Sequence, residues 1–182
     1  MANPSGAPHP SLRQARPEDF AFALALYLES TKPLLIALGH WDEERVRARF
    51  AEDFTPKRAQ VLHADGRDIG WIQISDNGEG LHLDQLHLIE GYRNRGIGTR
   101  LIEALLARGR RTGKWVGLNV IRGNPAIRLY QRLGFALTGE DDDKLQMRWS
   151  DGRAPDTLAG PRARPARSKK PKAAKPRGSG RS

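Results

Sequence analysis

The 182-residue sequence contains no cysteine. That excludes disulfide staples and thiolate chemistry, so any nucleophile, acid or base must be an oxygen or nitrogen group. Long hydrophobic runs are also lacking. The longest apolar stretch, Phe20 to Leu28, falls well short of the ~20 residues needed to cross a bilayer and is bounded by Pro17, Glu18, Asp19 and Glu29. It reads as a buried helix, and no membrane partner is expected. The first ten residues have neither a charged n-region nor an apolar core, so no secretory signal is read there and a cytoplasmic address is expected. The five histidines show no His-x-x-x-His or carboxylate spacing of a metal centre, so no metal is expected.

The chain does carry positive charge, net +10, and its placement is informative. Of 31 basic and 21 acidic side chains, ten Lys/Arg and two Asp fall between Asp151 and Ser182, leaving 21 and 19 in the first 150 residues. The folded part is therefore nearly neutral, and the basicity belongs to a tail. That tail is rich in Pro, Ala, Gly, Arg and Lys, with almost no large apolar residue after Leu158. Such composition cannot bury enough surface to offset ordering entropy, so residues 151–182 are expected to be a disordered basic tail. Residues 1–10, with three prolines, are expected to be a flexible leader. One domain remains, over 11–150. The tail would bind polyanions in a salt-sensitive way, but no groove-reading helix or aromatic stacking ribbon accompanies it, so no specific nucleic-acid partner is expected.

Within the domain, periodicity and punctuation give a chain of elements. A strand at Leu12–Ala15 is followed by a helix from Glu18 to Ser30, closed by Pro33, and a second helix over about Trp41–Phe54 with Asp42 as N-cap. Ala59–Ala64 and Ile69–Ser75 are β-patterned and joined by Asp65-Gly66, a hairpin signal. Leu81–Ile89 is a further strand, Gly98–Arg111 an amphipathic helix, Trp115–Val120 a strand and Pro125–Leu133 a helix ended by Gly134. Phe135–Thr138 and Lys144–Trp149 complete the set. The order βααβββαβαββ predicts an α/β fold, a mixed and mostly antiparallel sheet flanked by helices on both faces.

The strand Leu81–Ile89 changes parity: Leu81 and Leu83 share one face in register, Leu86 and Leu88 the other. A β-bulge at Asp84-Gln85 would restore a common buried face and expose backbone groups to a ligand. A strand buried on both faces would also fit. Immediately after it comes Arg93-Asn94-Arg95-Gly96-Ile97-Gly98-Thr99-Arg100, which opens a helix. Glycines permit a tight turn and close backbone approach, and the helix start adds orphan N–H groups and a positive dipole end. Together these suit a diphosphate. The third glycine of a dinucleotide-binding loop is replaced by Leu101, and the Gly-Lys-Ser/Thr of a Walker loop is absent.

What remains, Arg-x-x-Gly-x-Gly after an irregular strand, resembles the signature of the GNAT superfamily of acyl-CoA N-acyltransferases. The run Asn119–Phe135 is similar to that family's second motif, Asn-x-x-Ala-x-x-x-Tyr-x-x-x-Gly-Phe, through Asn124, Ala126, Tyr130, Gly134 and Phe135. The resemblance covers about Leu12–Trp149. It implies acetyl-CoA as co-substrate, held by backbone and side-chain groups of Arg93, Asn94, Arg95, Gly96, Ile97, Gly98 and Thr99, with Asn124 and Tyr130 beside the pantetheine. It also implies that Leu81–Ile89 and Trp115–Val120 lie parallel and splay apart, so that backbone groups of Leu86, His87 and Leu88 bond the acyl arm.

The same resemblance assigns Tyr130 as the acid that protonates the departing CoA thiolate, in direct attack by an amine within a ternary complex. A base must deprotonate that amine. Asp84, His82 and His87 are the candidates, with Asp84 first because it sits at the inferred bulge. The acceptor, a small-molecule or peptide amine, is expected near Tyr27, Lys32, His40 and Trp41, although His40-Trp41 equally fits a helix start with Trp41 packed against it. A non-catalytic acyl-CoA sensor and a basic-tailed nucleic-acid-associated protein are the rival classes, and a homodimer is compatible with the sequence.

Overall fold

The computed structural model describes residues 10–151, so the leader over 1–10 and the tail over 151–182 lie, but for one residue each, outside the described residues. The chain runs β1 (Ser11–Gln14), α1 (Phe20–Ala37), α2 (Glu43–Asp53), β2 (Ala59–Ala64), β3 (Arg67–Asp76), β4 (Gly80–Leu88), α3 (Ile97–Thr112), β5 (Trp115–Ile121), α4 (Ala126–Arg132), β6 (Ala136–Glu140) and β7 (Lys144–Trp149). The strands form a sheet of order β1-β2-β3-β4-β5-β7-β6. Among the described residues only β4 and β5 are parallel neighbours; the remaining adjacent pairs are antiparallel. This is the mixed, mostly antiparallel architecture expected from the element order.

Local chemistry accounts for most boundaries. Asp65 and Gly66 both have positive φ, 52° and 75°, as a two-residue hairpin between right-twisted strands requires. Asp42 caps α2 by accepting from the Arg45 N–H at 3.0 Å. α3 turns Ile102, Leu105 and Leu106 onto the sheet, where they join Leu62, Ile69, Ile72, Leu81, Leu83, Val116 and Leu118 in one core. The opposite face of the sheet packs Val61 and Trp71 against Ala23 and Leu26 of α1 and Phe50 of α2. Each large apolar side chain so enclosed contributes roughly 1.5–3 kcal/mol.

The first helix departs from expectation. Pro33 does not close it; α1 continues to Ala37. A helical proline forfeits the hydrogen bond to the carbonyl four residues earlier, here that of Glu29. Both Glu29 and Pro33 are exposed, so water can satisfy that carbonyl, while Leu35 beyond the proline is buried and rewards continuation. Gly39, with φ 74°, ends the helix, and the His40 N–H closes on the Leu35 carbonyl at 2.9 Å. With its leading 3-10 turn the segment Pro17–Ala37 reaches the length and apolarity of a bilayer span, which the shorter run read from sequence does not. In this fold Ala23, Leu26, Thr31 and Leu35 bury one face of it on the sheet side.

The parity change in β4 resolves as a bulge. Gln85 faces Gln73 and Leu83 faces Ile74, leaving Asp84 without a partner on β3. The extra residue returns Leu86 and Leu88 to the core that already holds Leu81 and Leu83. It also ends the pairing with β5: the parallel ladder runs only from Gly80↔Trp115 to Leu83↔Leu118. Past that point β4 stays with β3 and β5 with β7, and the two parallel strands part.

Candidate active site

The parting strands open a cavity of about 1010 Å³ that passes from the α3 loop, between β4 and β5, to the underside of α1 and α2. At one end, Asn94 and Gly96 adopt left-handed backbone, φ 59° and 76°, to turn the chain into α3. The first N–H of α3 with an acceptor inside the turn is that of Arg100, bonded to the Gly96 carbonyl at 3.1 Å. The N–H groups of Ile97, Gly98 and Thr99 precede that ladder, as helix geometry dictates. A Cβ on Gly98 would lie 3.8 Å from Leu129 and 3.9 Å from Leu86, so the protein itself tolerates a side chain there. What the missing Cβ leaves open is the cavity, and this room beside orphan N–H groups fits an extended diphosphate-bearing ligand.

The arginines around the loop divide their tasks. Arg93 lines the cavity; its Nε donates to the Leu88 carbonyl at 2.8 Å and its guanidinium pairs with Glu29 at 2.6 Å, tying the end of β4 to α1. Arg95 and Ile97, both expected at the site, are not in the cavity wall. Arg95 stacks on the Tyr92 ring, 5.2 Å from its centroid, with Arg67 over the same ring at 5.2 Å. Ile97 turns its side chain into the core and can offer only its backbone. Asn94, Gly96, Gly98 and Thr99 all line the cavity, as do Leu86, His87 and Leu88 of β4.

On the β5 side, Asn119, Asn124 and Tyr130 complete the wall. Asn124 accepts the Ala126 N–H at 2.8 Å through its side-chain oxygen, which fixes the start of α4. Tyr130 is buried, edge-on to Phe135 at 5.8 Å, and burial pushes its phenol up to about 12. It is therefore a protonated hydroxyl at any ordinary pH.

Deeper in the cavity lies a polar cluster on the α1/α2 side of β4. Asp84 accepts from Ser75 at 2.8 Å, lies 3.0 Å from His82 Nδ1 and accepts from Gln73 at 3.4 Å. Burial alone would raise its carboxyl, but the hydrogen bonds from His82 and Ser75 outweigh that and hold it below the ordinary carboxylate range. Held so, Asp84 is a weak proton acceptor and a strong orienter of His82. His87 has both ring nitrogens engaged, Nδ1 with Ser30 at 2.7 Å and Nε2 with Gln85 at 2.8 Å, and burial drops its pKa to about 3. It stacks on Trp71 and works as a neutral spacer.

Of the expected acceptor residues, Tyr27 lines the cavity and His40 and Trp41 do not. α1 runs on to Ala37 and Gly39 then turns the chain, so both fall outside the cavity wall. His40 instead bonds Asp143 on the surface, and Trp41 lies under the Lys32 ammonium, 5.2 Å away. The sequence reading missed Gln73, Ser75, Arg49, Asp53 and Lys144. Gln73 had a usable signal, a lone amide in an otherwise apolar strand, and it is only 2% exposed. Ser75, also on β3, holds Asp84 from outside the cavity wall, and Arg49, Asp53 and Lys144 reach the cavity from α2 and β7, elements whose distance from β4 is set by tertiary packing.

Comparison with known proteins converges on one group. The fold matches that of PaiA N-acetyltransferase from Thermoplasma acidophilum, solved in complex with coenzyme A, with TM-score 0.63 and 20% identity over 79% of this chain and 99% of that one. It also matches an N-acetyltransferase from Staphylococcus aureus, with TM-score 0.59 and 17% identity over 76% and 100%. Streptothricin acetyltransferase from Streptomyces lavendulae is 31% identical over 106 residues, 56% of either chain, so this chain spans little more than half the length of that curated relative. The model of the acetyltransferase (GNAT) family matches residues 22–135, from the first turn of α1 to just past the end of α4. That span includes both the glycine loop and the tyrosine motif, and the chain belongs to the acetyltransferase (GNAT) family.

Proposed function

We propose that this chain transfers an acetyl group from acetyl-CoA to a small-molecule or peptide amine. The observation that carries this reading is the opening of the β4–β5 ladder after Leu83 and Leu118, beside the left-handed Gly96 turn. A strand-like acyl arm fits between the parted strands, with backbone groups of Leu86, His87 and Leu88 along it. The N–H groups of Ile97, Gly98 and Thr99, with Asn94 at the turn, hold the diphosphate. Asn124 and Tyr130 flank the arm from the other strand.

When bound, acetyl-CoA supplies a thioester whose C–S bond breaks as the amine nitrogen forms the new C–N bond. This chain's own residues manage two protons. His82, with Asp84 on Nδ1, presents Nε2 as the acceptor for the proton of the amine. Tyr130 donates to the departing sulfur, so the products are an amide and free CoA thiol, and solvent returns the proton from His82 to Tyr130. Asp84 thus acts through His82. No side chain in this scheme becomes covalently modified.

The test is calorimetric titration with acetyl-CoA followed by thiol release over a panel of amines and peptides. Binding in the micromolar range and amine-dependent thiol release are expected. Absence of any heat or melting change with acyl-CoA at millimolar concentration sinks the proposal, and binding without thiol release on any amine favours a sensor.

A further inference from the structure

The end of the cavity beyond Asp84 is lined by side chains that the proton transfers above do not use. Arg49 and Asp53 reach it from the last turns of α2, Arg58 from the 3-10 turn that follows, and Lys144 from the first residue of β7. Three cations thus share this end with four carboxylates, Asp53 and Asp84 in the wall and Asp141 and Asp143 beside Lys144. Each is engaged: Asp53 pairs with Arg49 at 3.5 Å, Asp84 is held by Ser75 and His82, Asp141 accepts the Asp143 and Lys144 N–H groups, and Asp143 bonds His40. Arg58 donates to the Thr55 hydroxyl at 2.9 Å, a neutral partner.

Lys144 is the distinctive member. It is half-buried, and Asp141, Asp53 and Asp143 act on it only through space, without a hydrogen bond. Burial, then the charge of Arg49, lowers its pKa against the pull of those carboxylates. Its backbone is fixed: the Lys144 N–H donates to Asp141 at 2.7 Å, and its Cα faces Ile121 where β5 ends. A half-buried ammonium with no bonded counter-ion is unfavourable unless a ligand completes it.

We propose that the acceptor is an amine that also carries a carboxylate, bound by Lys144 with Arg49 and Arg58 at its rim, so that the amine is presented to His82. This rests on the acetyl-transfer reading and names its substrate class. A free amino acid and a peptide beginning with Asp or Glu both present an amine and a carboxylate on one molecule. A diamine is disfavoured, because its second ammonium would meet Lys144.

The full-length protein is assayed by thiol release with acetyl-CoA on matched pairs: amino acids against their carboxamides, Asp- or Glu-first dipeptides against their Asn or Gln counterparts, and a diamine. An ion pair with an acceptor carboxylate predicts that the acid member is favoured at least about tenfold in kcat/KM, in the amino-acid arm or the peptide arm according to the true source. Lys144→Met lowers that acid-to-amide ratio about tenfold, chiefly through KM, and Lys144→Arg retains most of it. If Lys144→Met melts early, Lys144→Gln carries the same expectation. Equal use of acid and carboxamide, preference for the diamine, or a ratio unmoved by the substitution overturns the proposal. If acetyl-CoA binds yet no acid-bearing amine turns over, the proposal falls while acyl-CoA binding stands; if acetyl-CoA does not bind, both fall.

Discussion

Tyr130→Phe removes one oxygen from a side chain otherwise fixed by packing. The ring is 8% exposed and stays edge-on to Phe135, so the folded state should change by less than about 1 kcal/mol. Burial pushes the phenol to about 12, whereas a free thiol titrates near 8.5. Complete proton transfer from this phenol to a thiolate is therefore uphill by roughly 3.5 pH units, or about 5 kcal/mol at ~1.36 kcal/mol per unit. That difference decides the manner of catalysis. In the proposed role Tyr130 would not surrender its proton before the C–S bond breaks; it would hydrogen-bond the sulfur as charge builds and complete the transfer as CoA leaves. The expected loss in Tyr130→Phe lies toward the low end of general-acid effects, ~10²-fold in kcat, about 2.7 kcal/mol. Steady-state thiol release should show that drop with KM for acetyl-CoA within about twofold, and the wild-type rate should show no loss from phenol ionisation up to about pH 11. Equal losses in kcat and acetyl-CoA affinity, an unaltered kcat, or a wild-type rate that titrates away near pH 10 would refute the assignment.

Three further outcomes follow from the geometry. Gly98→Val places a branched side chain in the space between Leu86 and Leu129, so calorimetry should show at least about tenfold weaker acetyl-CoA binding with a melting temperature within a few degrees of wild type; unchanged affinity refutes the loop assignment. Asp84→Asn and His82→Ala should each lower kcat about 10²-fold while the double variant falls little further, since the two act as one unit; additive losses mean that they act separately. His87 has a folded pKa of about 3 against an ordinary 6.5, so below pH 6.5 the unfolded chain binds a proton that the native state refuses. Stability should thus fall as the pH drops from 6.5 toward 3, by about 2.7 kcal/mol at pH 4.5. Urea unfolding against pH tests this, and a slope that persists in His87→Gln shows that the proton goes elsewhere.

The sequence made the order of elements, the bulge and the glycine loop legible because each is written in neighbouring residues. Hydrophobic parity locates Asp84, and positive φ is met by glycine at 96 and 66. The end of α1 was not legible. Pro33 is a local stop signal, but its cost depends on whether the freed carbonyl reaches water and on what lies beyond, and the burial of Leu35 is a tertiary fact. The loop after α1 was expected to reach the acceptor pocket; Tyr27 lies in the cavity wall, whereas His40 bonds Asp143 and Trp41 lies under Lys32 outside it. The basic lining at the far end was invisible for the same reason. Arg49, Asp53 and Lys144 are ordinary surface-pattern residues until α2 and the start of β7 are folded over β4.

Under the proposed function, the bulge would also let one short strand serve two substrates. Without Asp84 as an extra residue, Leu86 and Leu88 would turn toward α1 and α2, and Gln85 and His87 would be driven into the apolar core beside Leu105 and Leu106. With it, the apolar side chains of β4 face α3 and α4 throughout, and the polar ones, His82, Asp84 and His87, face α1 and α2. The same residue ends hydrogen bonding to β5 and so frees the backbone between Gln85 and Leu88. An acyl donor bound along that backbone and an amine approaching from the α1/α2 side would meet at one point without competing for the same surface. Direct transfer in a ternary complex needs that separation, whereas a covalent acyl-enzyme would need a nucleophile at the junction. The described side chains there, Tyr130, His82 and Asp84, are suited to moving protons.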